Sequence, residues 1–213
     1  MDPNTKIAGT RTVKDWLSFR KMLAGSRDPV LWRRAGTEYF HERILARYMK
    51  PLGVLQSSEA SNGEGFSIVT IQCALLEFLA AAVAGKNFRY SKALTAFEYS
   101  NSHQLFVRFL TQEQPFAKSF SKEAAEDFYT AIRCGLLHEA QTKNGWRIRT
   151  HKPDVASTID FKEKILYRHG FQRDLDTFIK RYRDRLTAER PLQEGFIRKF
   201  DHICGLEPGA PSK

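Results

Sequence analysis

Apolar positions recur at helical spacing along most of the chain. Asp28-Pro29 reads as an N-cap followed by a first-turn proline, and Leu31, Ala35, Tyr39, Ile44, Leu45 and Tyr48 continue the apolar stripe. This predicts a helix over 30–49, stopped by Pro51 and Gly53. The stretch 53–65, which contains SSEASNGEG, reads as a flexible loop. Residues 66–84 are the most apolar run, with Ile68, Ile71, Leu75, Leu76 and Leu79 forming a broad surface that other helices must cover. Gln72 and Glu77 within it favour a core helix over a membrane span. Further helices are predicted over 91–111, with a break near Ser100-Asn101-Ser102, and from the cap Ser121 to about 141.

After that helix the period changes. Trp146-Arg147-Ile148-Arg149 and Thr158-Ile159-Asp160-Phe161 alternate, Ile165-Leu166-Tyr167 is a short apolar run, and Pro153-Asp154 marks a turn. A small β-hairpin or meander is therefore expected around 146–168. Helix resumes over 172–190 and again after Pro191 up to Cys204-Gly205. The fold class expected is all-α, a mainly helical bundle with that small β insertion, as one domain over 1–206. The tail 207–213 reads as disordered.

The 213 residues are 42% hydrophobic and 12% aromatic, ordinary for a folded domain, so wholesale disorder is excluded. Cys73, Cys134 and Cys204 are far apart, form no CxxC pair and do not predict a zinc site or a disulfide framework. The polar N-terminus MDPNTKIAGTRTVKDW lacks the apolar run of a signal peptide, and a cytoplasmic protein without membrane attachment is the expectation. The formal net charge of +10 points to a polyanionic partner.

The candidate chemistry lies in one stretch. In AIRCGLLHEAQTKNGW, Arg133 and His138 stand in an R-x4-H relation. Arginine stays charged and presents a planar fork matched to phosphate oxygens, and histidine exchanges protons near neutral pH. Five residues along a straight α-helix separate two side chains by about 140°, so the pair does not share a narrow face. A second match, Arg34 and His41, precedes the apolar helix.

The Arg133 motif, its local GLLH string and the apolar helix ahead of it resemble the R-x4-6-H motif and preceding helix of the HEPN superfamily. The resemblance covers roughly 28 to 141. One departure is Cys134, where family members often carry a small polar residue. The resemblance implies a helical bundle that cleaves RNA without metal or other cofactor, Arg133 and His138 being catalytic. It also implies a homodimer with a composite site at the two-fold axis, in a toxin or anti-phage setting with an antitoxin or regulatory partner. Around the motif, Glu77 reads equally as an orienting acid or as the partner of a buried arginine. Tyr129 reads as packing or as a contact to a base, and Cys134 as a structural thiol.

Charge is unevenly distributed. Residues 1–50 carry +6 (eleven basic against five acidic), 51–142 carry −2 (seven against nine), 143–173 carry +5 (eight against three), and 174–213 carry +1 (eight against seven). Lys143, Arg147, Arg149 and Lys152, interleaved with Trp146, form the expected RNA-binding segment, Trp146 stacking on an unpaired base. An edge hairpin kept soluble by charge is the other reading of that segment. The Arg181-Tyr182-Arg183-Asp184-Arg185 run is offset by acids on the same helix. Walker, GxGxxG and GxSxG motifs are absent, which leaves P-loop and serine-hydrolase chemistry without support. A non-catalytic RNA- or protein-binding dimerisation module is the alternative function, and a DNA-binding helical regulator ranks last.

Overall fold

The computed structural model describes residues 1–57, 63–150 and 158–206. A short antiparallel pair, β1 (Lys6–Ala8) and β2 (Arg11–Thr12), opens the chain. Thr12 then caps α1 (Val13–Leu23) in a capping box: its hydroxyl accepts from the Asp15 N–H, and Asp15 accepts from the Thr12 N–H at 2.8 Å. Asp28 accepts from Val30 N–H at 2.8 Å to start α2 (Pro29–Ala35). The helical path continues through a π-helical stretch (Gly36–His41), α3 (Glu42–Ile44), a second π-helical stretch (Leu45–Met49) and α4 (Lys50–Ser57).

Pro51 and Gly53 therefore do not stop this helix. A proline ring ordinarily clashes with the carbonyl four residues back, and here the bonding ahead of it has already changed to the wider i→i+5 pattern.

Next come α5 (Glu64–Ala84), β3 (Asn87–Phe88) paired in parallel with β4 (Glu98–Tyr99), and α6 (His103–Gln112). The helix expected over 91–111 exists only from His103. Glu98 accepts from the Thr95 N–H at 2.9 Å and from Arg89 at 2.9 Å, and Ser91 closes a turn with Ala93. These local bonds hold 87–99 in a non-helical course.

After a 3₁₀ turn (Phe116–Lys118), Ser121 accepts from Ala124 N–H to cap α7 (Lys122–Asp127). It leads through a π-helical stretch (Phe128–Cys134) into α8 (Gly135–Glu139), which Ala140 ends in a left-handed conformation. Strands β5 (Arg147–Arg149), β6 (Ile159–Asp160) and β7 (Ile165–Tyr167) form one sheet in the order β5-β7-β6. The insertion is thus a β6–β7 hairpin whose last strand also pairs in parallel with β5, rather than a meander. Helices α9 (Arg168–Leu186) and α10 (Arg190–Ile203) complete the chain. The fold is mainly helical with small sheets, as the hydrophobic period implies.

Two compact units are present, each assembled from separate stretches of chain. One comprises Met1–Lys50, Ala81–Ser100 and Lys180–Lys213; the other comprises Pro51–Ala80 and Asn101–Ile179. The first is built on aromatic rings: Trp16 packs against Tyr39, Phe196 and Phe200, and Phe40 stacks on Tyr182 at 4.2 Å. Asp201 accepts from Trp16 Nε1 at 2.9 Å and pairs with Arg20 at 2.7 Å, which satisfies the polar edge of this core. In the second unit Phe106, Phe116, Phe128, Phe171 and Phe178 are fully buried, together with Leu75, Leu76 and Leu79 of α5.

Among the described residues, α5 alone is long and apolar enough to cross a membrane, and 56% of its most apolar window is buried. Gln72 in that helix donates through Nε2 to the Arg168 carbonyl at 3.0 Å and to Gln172 Oε1 at 3.1 Å, which satisfies the buried amide nitrogen.

Candidate functional site

Arg133 sits at the end of the π-helical stretch Phe128–Cys134, and α5 supplies its partner. Arg133 Nη2 donates to Glu77 Oε2 at 2.9 Å, with the two side chains 18% and 20% exposed. The guanidinium also lies over the Tyr129 ring at 5.3 Å, and its Nη1 lies 4.0 Å from Cys134 Sγ. Burial works against the charge of Arg133. The hydrogen bond to Glu77, with the nearby Tyr129 and Glu77, outweighs that and holds the guanidinium above its ordinary pKa.

The cluster extends to α6. Tyr129 Oη and Ser102 Oγ are hydrogen-bonded at 3.1 Å, and the His103 ring meets the Tyr129 ring edge-on at 4.8 Å. Burial pushes the Tyr129 hydroxyl above its ordinary pKa, more than the Ser102 hydrogen bond and the Arg133 charge draw it down. Tyr129 thus both packs, against Phe106, and links Arg133 to Ser102 and His103. Sequence spacing gave no sign of His103, because it lies 30 positions before Arg133 in a segment whose helix starts only at that residue.

His138 stands elsewhere on the motif helix. It is exposed on α8 beside the exposed Leu137, and makes no contact with Arg133 among the described residues. The motif pair is therefore separated within one chain: Arg133 turns toward Glu77, His138 toward solvent.

Gly135 sits where the returning chain crowds this helix. After the reversal at Ala140 the chain folds back over the motif helix, with Lys143 N–H donating to Ala131 O at 2.8 Å. A Cβ on Gly135 would lie 2.5 Å from the Gln141 carbonyl oxygen, so the glycine is required by close backbone approach.

The segment expected to bind RNA is arranged differently from the sequence reading. Trp146 is 3% exposed, donates from Nε1 to Asp127 Oδ2 at 2.8 Å and meets Phe161 edge-on, so it offers no face for an unpaired base. Though flanked by charges, it is buried because its indole packs on Phe161 and reaches Asp127 at the end of α7. Lys143 pairs with Glu139, and Arg147 donates to the Glu163 carbonyl at 2.9 Å. Arg149 is exposed on β5, and Lys152 lies outside the described residues.

The decoy pair is engaged separately. Arg34 and Arg11 both pair with Glu38, at 3.1 and 2.7 Å, while His41 faces Glu42. Among the described residues no group of three or more His, Cys, Asp or Glu side chains is placed to hold a metal ion. Cys73 is fully buried, and burial pushes its thiol up to about 12.

No protein-family model matches the chain, and neither a curated protein nor a solved structure gives a significant match.

Proposed function

We propose that this chain is a metal-independent endoribonuclease of the HEPN type, active as a homodimer. The observation that carries the reading is Arg133: a charged guanidinium fixed by Glu77 and Tyr129, on the same helix as the solvent-facing His138. A fixed, permanently charged fork suits a phosphate whose charge grows in the transition state. Glu77 engages Nη2 and the Cys134 sulfur engages Nη1, which leaves part of the five-donor guanidinium fork for a phosphate.

In the proposed reaction a histidine takes the proton of a ribose 2′-hydroxyl. The 2′-oxygen attacks the adjacent phosphorus, the bond to the 5′-oxygen breaks, and an acid protonates that leaving oxygen. The products are a 2′,3′-cyclic phosphate and a 5′-hydroxyl. Because one chain holds His138 apart from Arg133, the reading requires a second copy to bring the two groups onto one phosphate. The exposed Leu137 beside His138 supports such a contact on α8.

A second reading is a non-catalytic RNA- or protein-binding module, and the same separation favours it. An arginine committed to Glu77, with the motif histidine His138 turned away from it, is also what an ion pair retained for structure looks like. The deciding experiment is RNA cleavage in EDTA by wild type, Arg133→Gln and His138→Ala, each shown to be folded. Cleavage by wild type alone supports the nuclease. RNA binding without cleavage by any of the three selects the second reading.

A further inference from the structure

The unit formed by Met1–Lys50, Ala81–Ser100 and Lys180–Lys213 contains a cavity of about 650 Å³, within the range of small-molecule sites. Its walls come from the 87–99 segment, α1 and α10, so it is remote in sequence from the Arg133 motif. Three features of the walls and one of the adjoining segment bear on what would fill it.

Its acids are already engaged. Asp201 pairs with Arg20, Glu98 with Arg89, and Glu194 with Arg190. Arg198 differs: its Nε donates to the Gly85 carbonyl at 3.4 Å, and it pairs with no carboxylate among the described residues. A guanidinium on a cavity wall without an acid is a receptor for an anion.

The same arginine lies 4.1 Å over the centre of the Phe97 ring, which is nearly half exposed. Ile197 and Leu206 line the same cavity and add apolar surface to it. Asn87, only 7% exposed, donates through Nδ2 to the Arg198 carbonyl at 3.4 Å, while its Oδ1 has no hydrogen-bond partner. A buried amide oxygen without a donor is costly, and a ligand N–H would satisfy it. Finally, the 87–99 segment exposes aromatic rings between basic residues: Phe88 and Tyr90, the latter 95% exposed, alternate with Arg89 and Lys92. Exposed large rings are unfavourable in water unless something covers them.

A planar ring, a hydrogen-bond donor on its edge and an anionic group are the parts of a nucleotide. We infer that this cavity binds a nucleotide: the base lies against Phe97, one of its N–H groups bonds to Asn87 Oδ1, and Arg198 holds the phosphate. The inference stands independently of RNA cleavage by Arg133. The nucleotide is either free in solution or one residue of a single-stranded RNA whose neighbouring bases stack on Tyr90 and Phe88.

The test uses the full chain in two arms. One titrates AMP, GMP, CMP and UMP calorimetrically; the other titrates a fluorescent 2′-O-methyl RNA dodecamer, which cannot be cleaved through its 2′-oxygen. At least one arm binds saturably, and Arg198→Ala weakens that binding about tenfold or more, as loss of a charged hydrogen bond implies. Phe97→Leu, at a half-exposed position, weakens it without changing the melting temperature. Binding of mononucleotides identifies the free ligand. Binding of the dodecamer alone, lost in Tyr90→Ala, identifies the strand. No binding in either arm at millimolar mononucleotide and micromolar RNA, or binding undiminished in both Arg198→Ala and Phe97→Leu, overturns the inference.

Discussion

Arg133 and Glu77, 56 positions apart, are joined by a 2.9 Å hydrogen-bonded ion pair that ties the motif helix to α5. Removing one partner leaves the other charged and partly desolvated, without its closest counter-charge. Full burial of such a pair makes that loss cost 3–5 kcal/mol; with about a fifth of each side chain exposed, Glu77→Ala is expected to cost about 2 kcal/mol. Chemical denaturation of Glu77→Ala, Arg133→Ala and the double variant checks it. Additive losses would show that the pair is not coupled.

The edge-on contact of His103 with Tyr129 places an imidazole on the arginine cluster. If the nuclease reading holds, His138→Ala abolishes cleavage, and His103→Ala lowers it by about a hundredfold, the lower end of what one positioned proton-transfer group contributes. Rates measured across pH 5 to 8 separate the two roles. An acid-base role for His103 moves a limb of the profile, whereas a positioning role lowers the rate at every pH alike.

Trp146 anchors the small sheet rather than a nucleic acid. Trp146→Phe keeps most of the apolar burial but leaves Asp127 without its indole donor, at an expected cost of about 1–2 kcal/mol. Affinity for single-stranded RNA is expected to stay unchanged per folded molecule. A fluorescence-anisotropy titration showing a tenfold loss, with the melting transition intact, would return Trp146 to the RNA contact expected from the sequence.

At Gly135 the added methyl of an alanine would overlap the Gln141 carbonyl oxygen, 2.5 Å from its Cβ position. The returning chain must move, and Gly135→Ala is expected to destabilise by about 1–3 kcal/mol despite the better helix propensity of alanine. Thermal unfolding decides the sign.

Burial pushes the half-buried Asp174 carboxyl above its usual 3.8, against the opposing effect of the hydrogen bond it accepts from Thr158. The folded chain therefore keeps this proton at pH values where the unfolded chain has released it. The associated stability is fully present below the unfolded pKa and is lost as pH rises through the folded one. Asp174→Asn, which keeps the acceptor without the charge, is expected to raise the melting temperature at pH 7 and to lose that advantage as pH approaches 3. An advantage that grows on acidification contradicts the assignment.

The helical architecture was readable because period, caps and breakers agreed at Asp28-Pro29, at Ser121 and through the apolar run of α5. Where they competed with bonds that spacing does not encode, the reading failed. Pro51 continues a helix because π-helical bonding precedes it, and 91–100 is not helical because Glu98 and Ser91 close local turns. The partner of Arg133 was visible as one of two roles for Glu77, since a carboxylate in so apolar a helix needs a counter-charge. His103 was not visible, because nothing in a chain of letters measures a ring-to-ring approach. The burial of Trp146 was hidden for a similar reason: the indole stands just before β5, and spacing does not show that Asp127 and Phe161 meet it.

The three thiols have a practical consequence. Cys73 and Cys204 are buried, which shields both from alkylation in the folded state and pushes their thiols up to about 12. Cys134 is the half-buried one, its sulfur 4.0 Å from an Arg133 nitrogen. A maleimide dye added to the native protein would thus mark a single place, immediately beside the arginine. The wild-type chain carries its own attachment point for a spectroscopic reporter of anything that approaches that guanidinium.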